Sequence, residues 1–459
     1  MDLSTCYADY SGAGSSACDP RCLVRMILYE FTQGRTSPAQ WFNSQNKDGS
    51  TTLKWLGMGV RPSRSTWYNF RDRAGLFVEQ WNASLVQRSQ QAGLVTGDVD
   101  MQDGTHVRAC ASRHHLLNRE RLDRRLTELR DAVKQDEQGV AVTPPAWMAK
   151  SPRQRRRQLR RQTTASEVLD RRLQQNARRE SHKRLKEKHV VVSTGDPEAA
   201  VGRDKEKVFC PLYNVQYAVD PQSLLILAYG VFPQATDAGT LAPMLDRLKQ
   251  VLGHYPREHV TDAGYVSILD LGVCRDRGVR LVGPYQENDF TAAKKGQQPP
   301  GQLGKEQFHW LPEQETYACP QGHHLRRESS QMVTRRESDR LRETQYRCDP
   351  VHCRDCPLKA QCCRDPEKGR TVRRLEGEEL LDMHRQQMQT PEAKQLRRQR
   401  GSVIERAFGD MKQHRNLRRL HGKGLSRVKA EIGLLVLAQN LLNLIRLKKT
   451  PATPCGTAS

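Results

Sequence analysis

Acidic side chains are in short supply in this chain. Its 459 residues hold 52 Asp plus Glu against 75 Lys plus Arg, a net charge of +23 and a pI near 9.7. Charge of that size argues about partners rather than fold, and the commonest partner is nucleic acid. A membrane signature is missing as well. Met1-Asp2-Leu3-Ser4 has neither a basic start nor an apolar core, so no signal peptide is expected. The one long apolar run, Ile432 to Leu447, is too short to span a bilayer and is broken by Gln439, Asn440 and Asn443. It reads as a buried helix, with no membrane partner. A disulfide framework is also unexpected, because the 13 cysteines are an odd number in a large chain without an export signal. A reducing cytoplasm, with the chain on nucleoid DNA, fits better and leaves clustered thiols available for metal.

What is present divides along the chain. Residues 1–95 read as short helices: Ser37 caps one with Pro38 at its first position, and Pro62 to Arg71 opens another that is rich in arginine and aromatics. A small DNA-binding bundle and a bundle that merely supports the next domain fit this spacing equally. Val99 to Ala111 alternates as a strand does. Residues 113–190 then carry 22 Lys plus Arg against 10 Asp plus Glu. Leu122, Leu126, Leu129 and Val133 fall on one helical face, Gly139 to Pro145 interrupts, and Arg153, Arg155, Arg156, Arg157, Arg160 and Arg161 crowd a second helix. The reading is a pair of antiparallel helices forming a basic arm. Opposed arginines at this density repel unless an anion lies against them, which favours DNA contact by phosphate neutralisation over a solvated hairpin.

From Val208 the pattern becomes strand, turn at Asp220-Pro221, strand to Val231, and a helix through Leu241 to Leu248 capped by Thr236-Asp237. Strand His259 to Asp262, a helix near Ile268 to Arg277 and strand Val279 to Val282 follow. Three antiparallel strands, then helix, strand, helix, strand, is the order of an RNase H-like α/β domain, with the basic arm between its first and second strands.

Three separated acids carry the chemistry. Asp103 and Asp262 end strand-like runs, and Asp98 and Asp100 face opposite to Asp103. Glu405 shares a helical face with Phe408 and Lys412. Singly each has a bland reading as turn residue or surface pair. Jointly, three carboxylates in a basic chain suit two Mg²⁺ or Mn²⁺ ions, which activate an attacking oxygen and stabilise a leaving one at phosphorus. Six cysteines (Cys319, Cys348, Cys353, Cys356, Cys362 and Cys363) fall within 45 residues. Cys353 and Cys356 form a thiolate knuckle, which Cys319 and Cys362 complete as a Cys₄ zinc site, with His323, His324 and His352 as competing ligands. Metal-free packed thiols are the alternative, since a second Cys-x2-Cys pair is lacking.

These residues resemble those of the DDE transposases of bacterial insertion sequences, in the group with a cysteine-bearing insertion before the catalytic glutamate. The likeness runs over nearly the whole chain. It rests on Asp103-Gly104-Thr105 with Ala109-Cys110-Ala111-Ser112, Pro211 to Gln216, Thr236 to Leu241, and Asp262-Ala263-Gly264-Tyr265. Glu405 and Lys412, six residues between them, match the end of the family's Tyr-Arg-Glu-Lys signature, whereas its tyrosine position reads Arg398 and its arginine is displaced to Arg400. The resemblance implies a metal triad of Asp103, Asp262 and Glu405, with Lys412 on a DNA phosphate. Arg400, Arg406, Arg155, Arg156 and Arg157 are the further DNA contacts expected. The expected organisation is a helical N-terminal domain (1–95), an RNase H-like core (96–112 and 191–290), the inserted arm (113–190), a cysteine-rich insertion (291–375) and a C-terminal helical part (376–450). The expected activity is metal-dependent cleavage and transfer of DNA strands at terminal inverted repeats, by a homodimer on DNA. A nuclease without strand transfer and an inactive DNA-binding regulator are the rivals.

Overall fold

The computed structural model describes residues 3–8, 17–47, 50–179, 181–285, 303–334, 340–363 and 365–449. The opening of the expected cysteine-rich insertion, and the end of the expected core, lie outside these. The central strand is β1 (Val99–Arg108). Short strands β2 (Leu116–Leu117) and β3 (Val192–Ser193) pair with each other, and β4 (Ala200–Arg203), β5 (Phe209–Val219), β6 (Ile226–Phe232), β7 (Glu258–Val260) and β8 (Arg280–Val282) complete the main sheet. Its order is β4-β5-β1-β7-β8, with β6 also on β5. β5 runs antiparallel to both β1 and β6, while β7 is parallel to β1 and β8 to β7. The strand and helix order read from the sequence is recovered.

Among the described residues the N-terminal part forms helices α1 (Ser4–Ala8), α2 (Pro20–Thr32), α3 (Pro38–Lys47), α4 (Thr51–Leu56), α5 (Arg64–Ala74) and α6 (Val78–Gln91). Ser37 Oγ accepts from Gln40 N at 3.4 Å, and Ser63 Oγ caps α5 through Thr66 N. These helices are not set apart as a separate domain. Phe31, Trp41, Trp67 and Trp81 share one apolar core with Met101, Val215 and Tyr217 of the sheet. On α5, Arg71 is buried and paired with Asp72, so it is not offered to a phosphate.

The basic segment folds as α7 (Arg119–Glu137) and α8 (Pro152–Ala177), which pack along Leu122, Leu126, Val168 and Leu169. Helices α9 (Leu241–Leu252) and α10 (Ile268–Asp276) cover one sheet face. Asp237 does not cap α9: its N-cap is Thr240, and the Asp237 carboxylate turns instead to Asn214 and Gln216. A second sheet follows in the order β13-β12-β11-β10-β9: β9 (His309–Leu311), β10 (Thr316–Ala318), β11 (His324–Thr334), β12 (Arg340–Cys348) and β13 (Thr371–Leu375). Helices α11 (Pro350–Arg354) and α12 (Lys359–Cys362) lie between its last two strands. The chain closes with α13 (Glu378–Gln387), α14 (Pro391–Gln413) and α15 (Leu425–Lys449).

α15 is longer than the apolar run suggested, and by length and composition it could cross a membrane, but 72% of its most apolar window is buried in the protein. Its amides explain themselves. Asn440 pairs with both the N–H and the C=O of Ile226, and Asn443 donates to Leu224 O, so the polar residues close the free edge of β6. Gly433 lets the helix approach closely, because a Cβ there would meet Val78 Cγ1 at 2.7 Å.

Candidate active site

Strand register puts the two aspartates side by side. β1 and β7 are parallel, with Met101 opposite Val260, so Asp103 and Asp262 each lie two residues further on. Asp103 is therefore mid-strand rather than at a strand end, and Asp262 sits just beyond β7. Alternation along β1 sends Asp103 to the α14 face and Asp100 to the other, as the sequence predicts. Arg400 of α14 reaches both acids: its Nη2 is 3.2 Å from Asp103 Oδ2 and 3.8 Å from Asp262 Oδ2. A guanidinium between two carboxylates marks a place where positive charge is stabilised. Burial raises the Asp103 pKa, Arg400 and the Gly104 N–H oppose the rise, and the charges of Asp262 and Asp237 add to it.

α14 delivers the remaining expected residues. Phe408 stacks on Tyr217, the cross-strand neighbour of Asp103, with ring centroids 4.9 Å apart. Lys412 Nζ lies 5.8 Å from the Phe408 ring. Its pKa is pushed down to about 8, first by burial and then by Lys205, with Asp103 pulling the other way. Glu405 is on the same helix but exposed. Among the described residues no three His, Cys, Asp or Glu side chains stand together in metal-holding geometry, so the third acid is not assembled with the first two. The pair that is assembled supplies hard oxygen donors around a point already stabilising a cation, which suits a divalent ion.

Beside Asp262 opens a basic cleft of about 390 Å³, lined by Thr261, Pro284, Lys394, Arg397, Arg398 and Arg400. The sequence reading passed over Lys394 and Arg397, although 394, 397 and 398 recur at helical spacing. Arg398, at the signature's tyrosine position, lines this cleft. Arg406 does not: it faces another cavity, beside Asp220, Pro221 and Gln222. The arm needs a further correction. Arg155 is 3% exposed, and it is held by Asp136 and by the carbonyls of Ala149 and Lys150, so it ties the hairpin together instead of facing DNA. Arg156 and Arg157 are exposed.

The cysteines converge. Cys319, Cys348, Cys353, Cys356, Cys362 and Cys363, with His323 and His352, line one cavity of about 20 Å³. Burial, then the neighbouring Cys353 thiol, pushes Cys348 up to about 12. The thiols line the cavity without standing as an assembled metal-holding group among the described residues.

No curated protein and no solved structure matches the chain. Residues 318–445 match the family described as transposase DDE domain, a segment that holds the cysteine cluster, Arg400, Glu405 and Lys412 but neither aspartate. That match supports a DDE-type insertion-sequence transposase.

Proposed function

We propose that this chain binds the terminal inverted repeats of an insertion sequence and catalyses cleavage and transfer of its DNA strands, on an RNase H-like core. The observation that carries the reading is the side-by-side placement of Asp103 and Asp262, facing a basic helix whose Arg400 reaches both. Asp103 and Asp262 would hold Mg²⁺ or Mn²⁺, with Glu405 the expected third ligand although it is not assembled with them here, and a pair of such ions would supply charge stabilisation for the attacking and leaving oxygens. Arg400, Lys394, Arg397 and Arg398 lead the phosphodiester strand to the two aspartates, and Lys412 holds a phosphate on the far side of Asp103. Exposed Arg156 and Arg157 add non-specific grip along the duplex. Hydrolysis leaves a 3′-hydroxyl, whose oxygen then attacks a target phosphodiester and displaces the 3′-oxygen of the neighbouring target nucleotide, which departs with the proton as a free 3′-hydroxyl. Synapsis of two ends makes a homodimer on DNA the working form, acting on the nucleoid in the cytoplasm.

An oligonucleotide carrying the repeat end tests this. It should be nicked by the full chain in Mg²⁺ or Mn²⁺, and Asp262→Ala should slow nicking by about a hundredfold or more. Cutting that survives Asp262→Ala sinks the reading. Joining of a precut end to plasmid separates a transposase from a simple nuclease. The second part of the proposal is a structural Zn²⁺ held by four of the clustered thiols, Cys319, Cys353, Cys356 and Cys362 being the expected set. Elemental analysis of the purified chain should find one zinc per chain, lost in Cys353→Ser. A zinc-free, fully folded preparation refutes that part.

A further inference from the structure

On the face of β1 away from Asp103 lies a buried chain of polar side chains that no part of the proposed reaction uses. Asp100, Gln102, Asn214, Gln216 and His259 are all fully shielded from solvent. Buried amides are tolerated only when hydrogen-bonded, and here one residue dictates every direction. The Asp237 carboxylate can only accept, and its Oδ1 lies 2.8 Å from both Asn214 Nδ2 and Gln216 Nε2. Those amide nitrogens therefore point at it. Gln216 then presents Oε1 on its other side, where it accepts from Gln102 Nε2 at 2.9 Å and from the Tyr265 hydroxyl at 2.7 Å. Gln102 in turn aims its Oε1 at His259 Nε2, 2.9 Å away, so that ring nitrogen carries a proton. His259 Nδ1 lies 2.8 Å from Asp100 Oδ1.

This relay touches the chain on both sides of the two aspartates. Gln102 immediately precedes Asp103 on β1. Tyr265 ends the turn begun by Asp262, whose Oδ1 accepts from Gly264 N at 2.7 Å. β5, through Asn214 and Gln216, anchors the middle. Gly104 is required by it: a Cβ would overlap Gln216 Nε2 and stand 2.5 Å from Asp237 Oδ1. The Asp-Gly pair that reads as a turn in the sequence is thus a strand position kept bare so that the relay can pass.

We propose that this relay is a positioning device that fixes the spacing of Asp103 and Asp262, and that Asp237 serves it as a hydrogen-bond acceptor and not as a ligand. The proposal rests on the reading of those two aspartates as metal-binding. Misplacing a reacting group by about an ångström can cost a hundredfold, so a loosened spacing has a measurable consequence.

The full chain is compared with Asp237→Ala and Asp237→Asn by Mn²⁺ calorimetry, by nicking of a repeat-end oligonucleotide, and by the nitrogen-15 signature of the His259 ring. The asparagine Oδ1 can accept the same two hydrogens, so Asp237→Asn should stay within about threefold of wild type in Mn²⁺ affinity and nicking. Asp237→Ala should lose about tenfold or more in both, and its His259 tautomer should no longer be held to the Nε2 proton. Equal losses in the two variants, or none in Asp237→Ala, overturn the proposal. Should Asp237→Ala fail to fold, Tyr265→Phe, which removes a single hydroxyl, must weaken Mn²⁺ binding, and an unchanged affinity overturns it. A wild-type chain that binds Mn²⁺ but cuts nothing defeats the strand-cleaving reading, while the calorimetry and His259 tautomer still decide the relay.

Discussion

Lys412 shows how one residue's surroundings set its use. It is half-buried on α14 beside the exposed Lys205, and its pKa falls to about 8. The folded chain therefore holds this proton less tightly than the unfolded one. The native state is penalised while Lys412 is charged, and the penalty is relieved as pH rises from about 8 toward the ordinary lysine value. Phosphate binding has the opposite sign, because the charge that binds is present below about 8 and lost above it. Affinity for a repeat-end oligonucleotide should fall by up to about tenfold between roughly pH 7 and 9. Lys412→Arg should flatten that curve, and an equally steep fall in the variant would show that another group is responsible. The placement of Glu405 and Lys412 on one helix was legible from their spacing. The service of Asp237 was not, because an Asp before a helix looks like a cap and only the fold turns it toward β5.

At the scale of elements, the basic arm divides its arginines between two tasks. Periodicity correctly gives two antiparallel helices, since Leu122, Leu126 and Leu129 must be covered. Periodicity does not say which arginines face inward, and in α8 they include Arg155, paired with Asp136 nineteen residues earlier in α7, and Arg172, which donates to the carbonyls of Val191 and Ala199. Removing one partner of such a shielded pair leaves the other without compensation. Arg155→Ala should lower the melting temperature by several degrees, whereas Arg156→Ala with Arg157→Ala should leave it unchanged and weaken binding to any duplex alike. Calorimetric melts alongside a filter-binding assay separate the two effects, and the opposite pattern would mean that the arm's facing has been misassigned. α15 teaches the converse lesson. Its Asn440 looks like a blemish in an apolar run, yet it completes the β6 edge.

Over the whole molecule the net charge of +23 is spread across the arm, the α14 cleft and the C-terminal helices. A polyanion bound by many such contacts releases many counterions. Duplex affinity should accordingly fall about a thousandfold between roughly 50 and 200 mM salt. A shallow dependence in a fluorescence titration would show that few of these cations meet phosphate. The apolar faces of the N-terminal helices, with Trp41, Trp67 and the α2 core, belong to the same apolar body as the main sheet. Helix spacing fits a DNA-binding bundle and a supporting one equally, since it carries no record of what the apolar faces pack against.

The sequence by itself determined the strand and helix order, the two antiparallel helices of the basic arm and the clustering of the cysteines. Each depends on local periodicity, on turn residues or on composition, all of which are written within a few consecutive residues. Only the tertiary structure decided that Asp103 stands level with Asp262, that Arg400 lies between them, that Arg155 is internal and that Asp237 orders a buried relay. Those facts follow from strand register and from tertiary contacts between separate elements, where many alternative pairings satisfy the same local pattern and packing selects one.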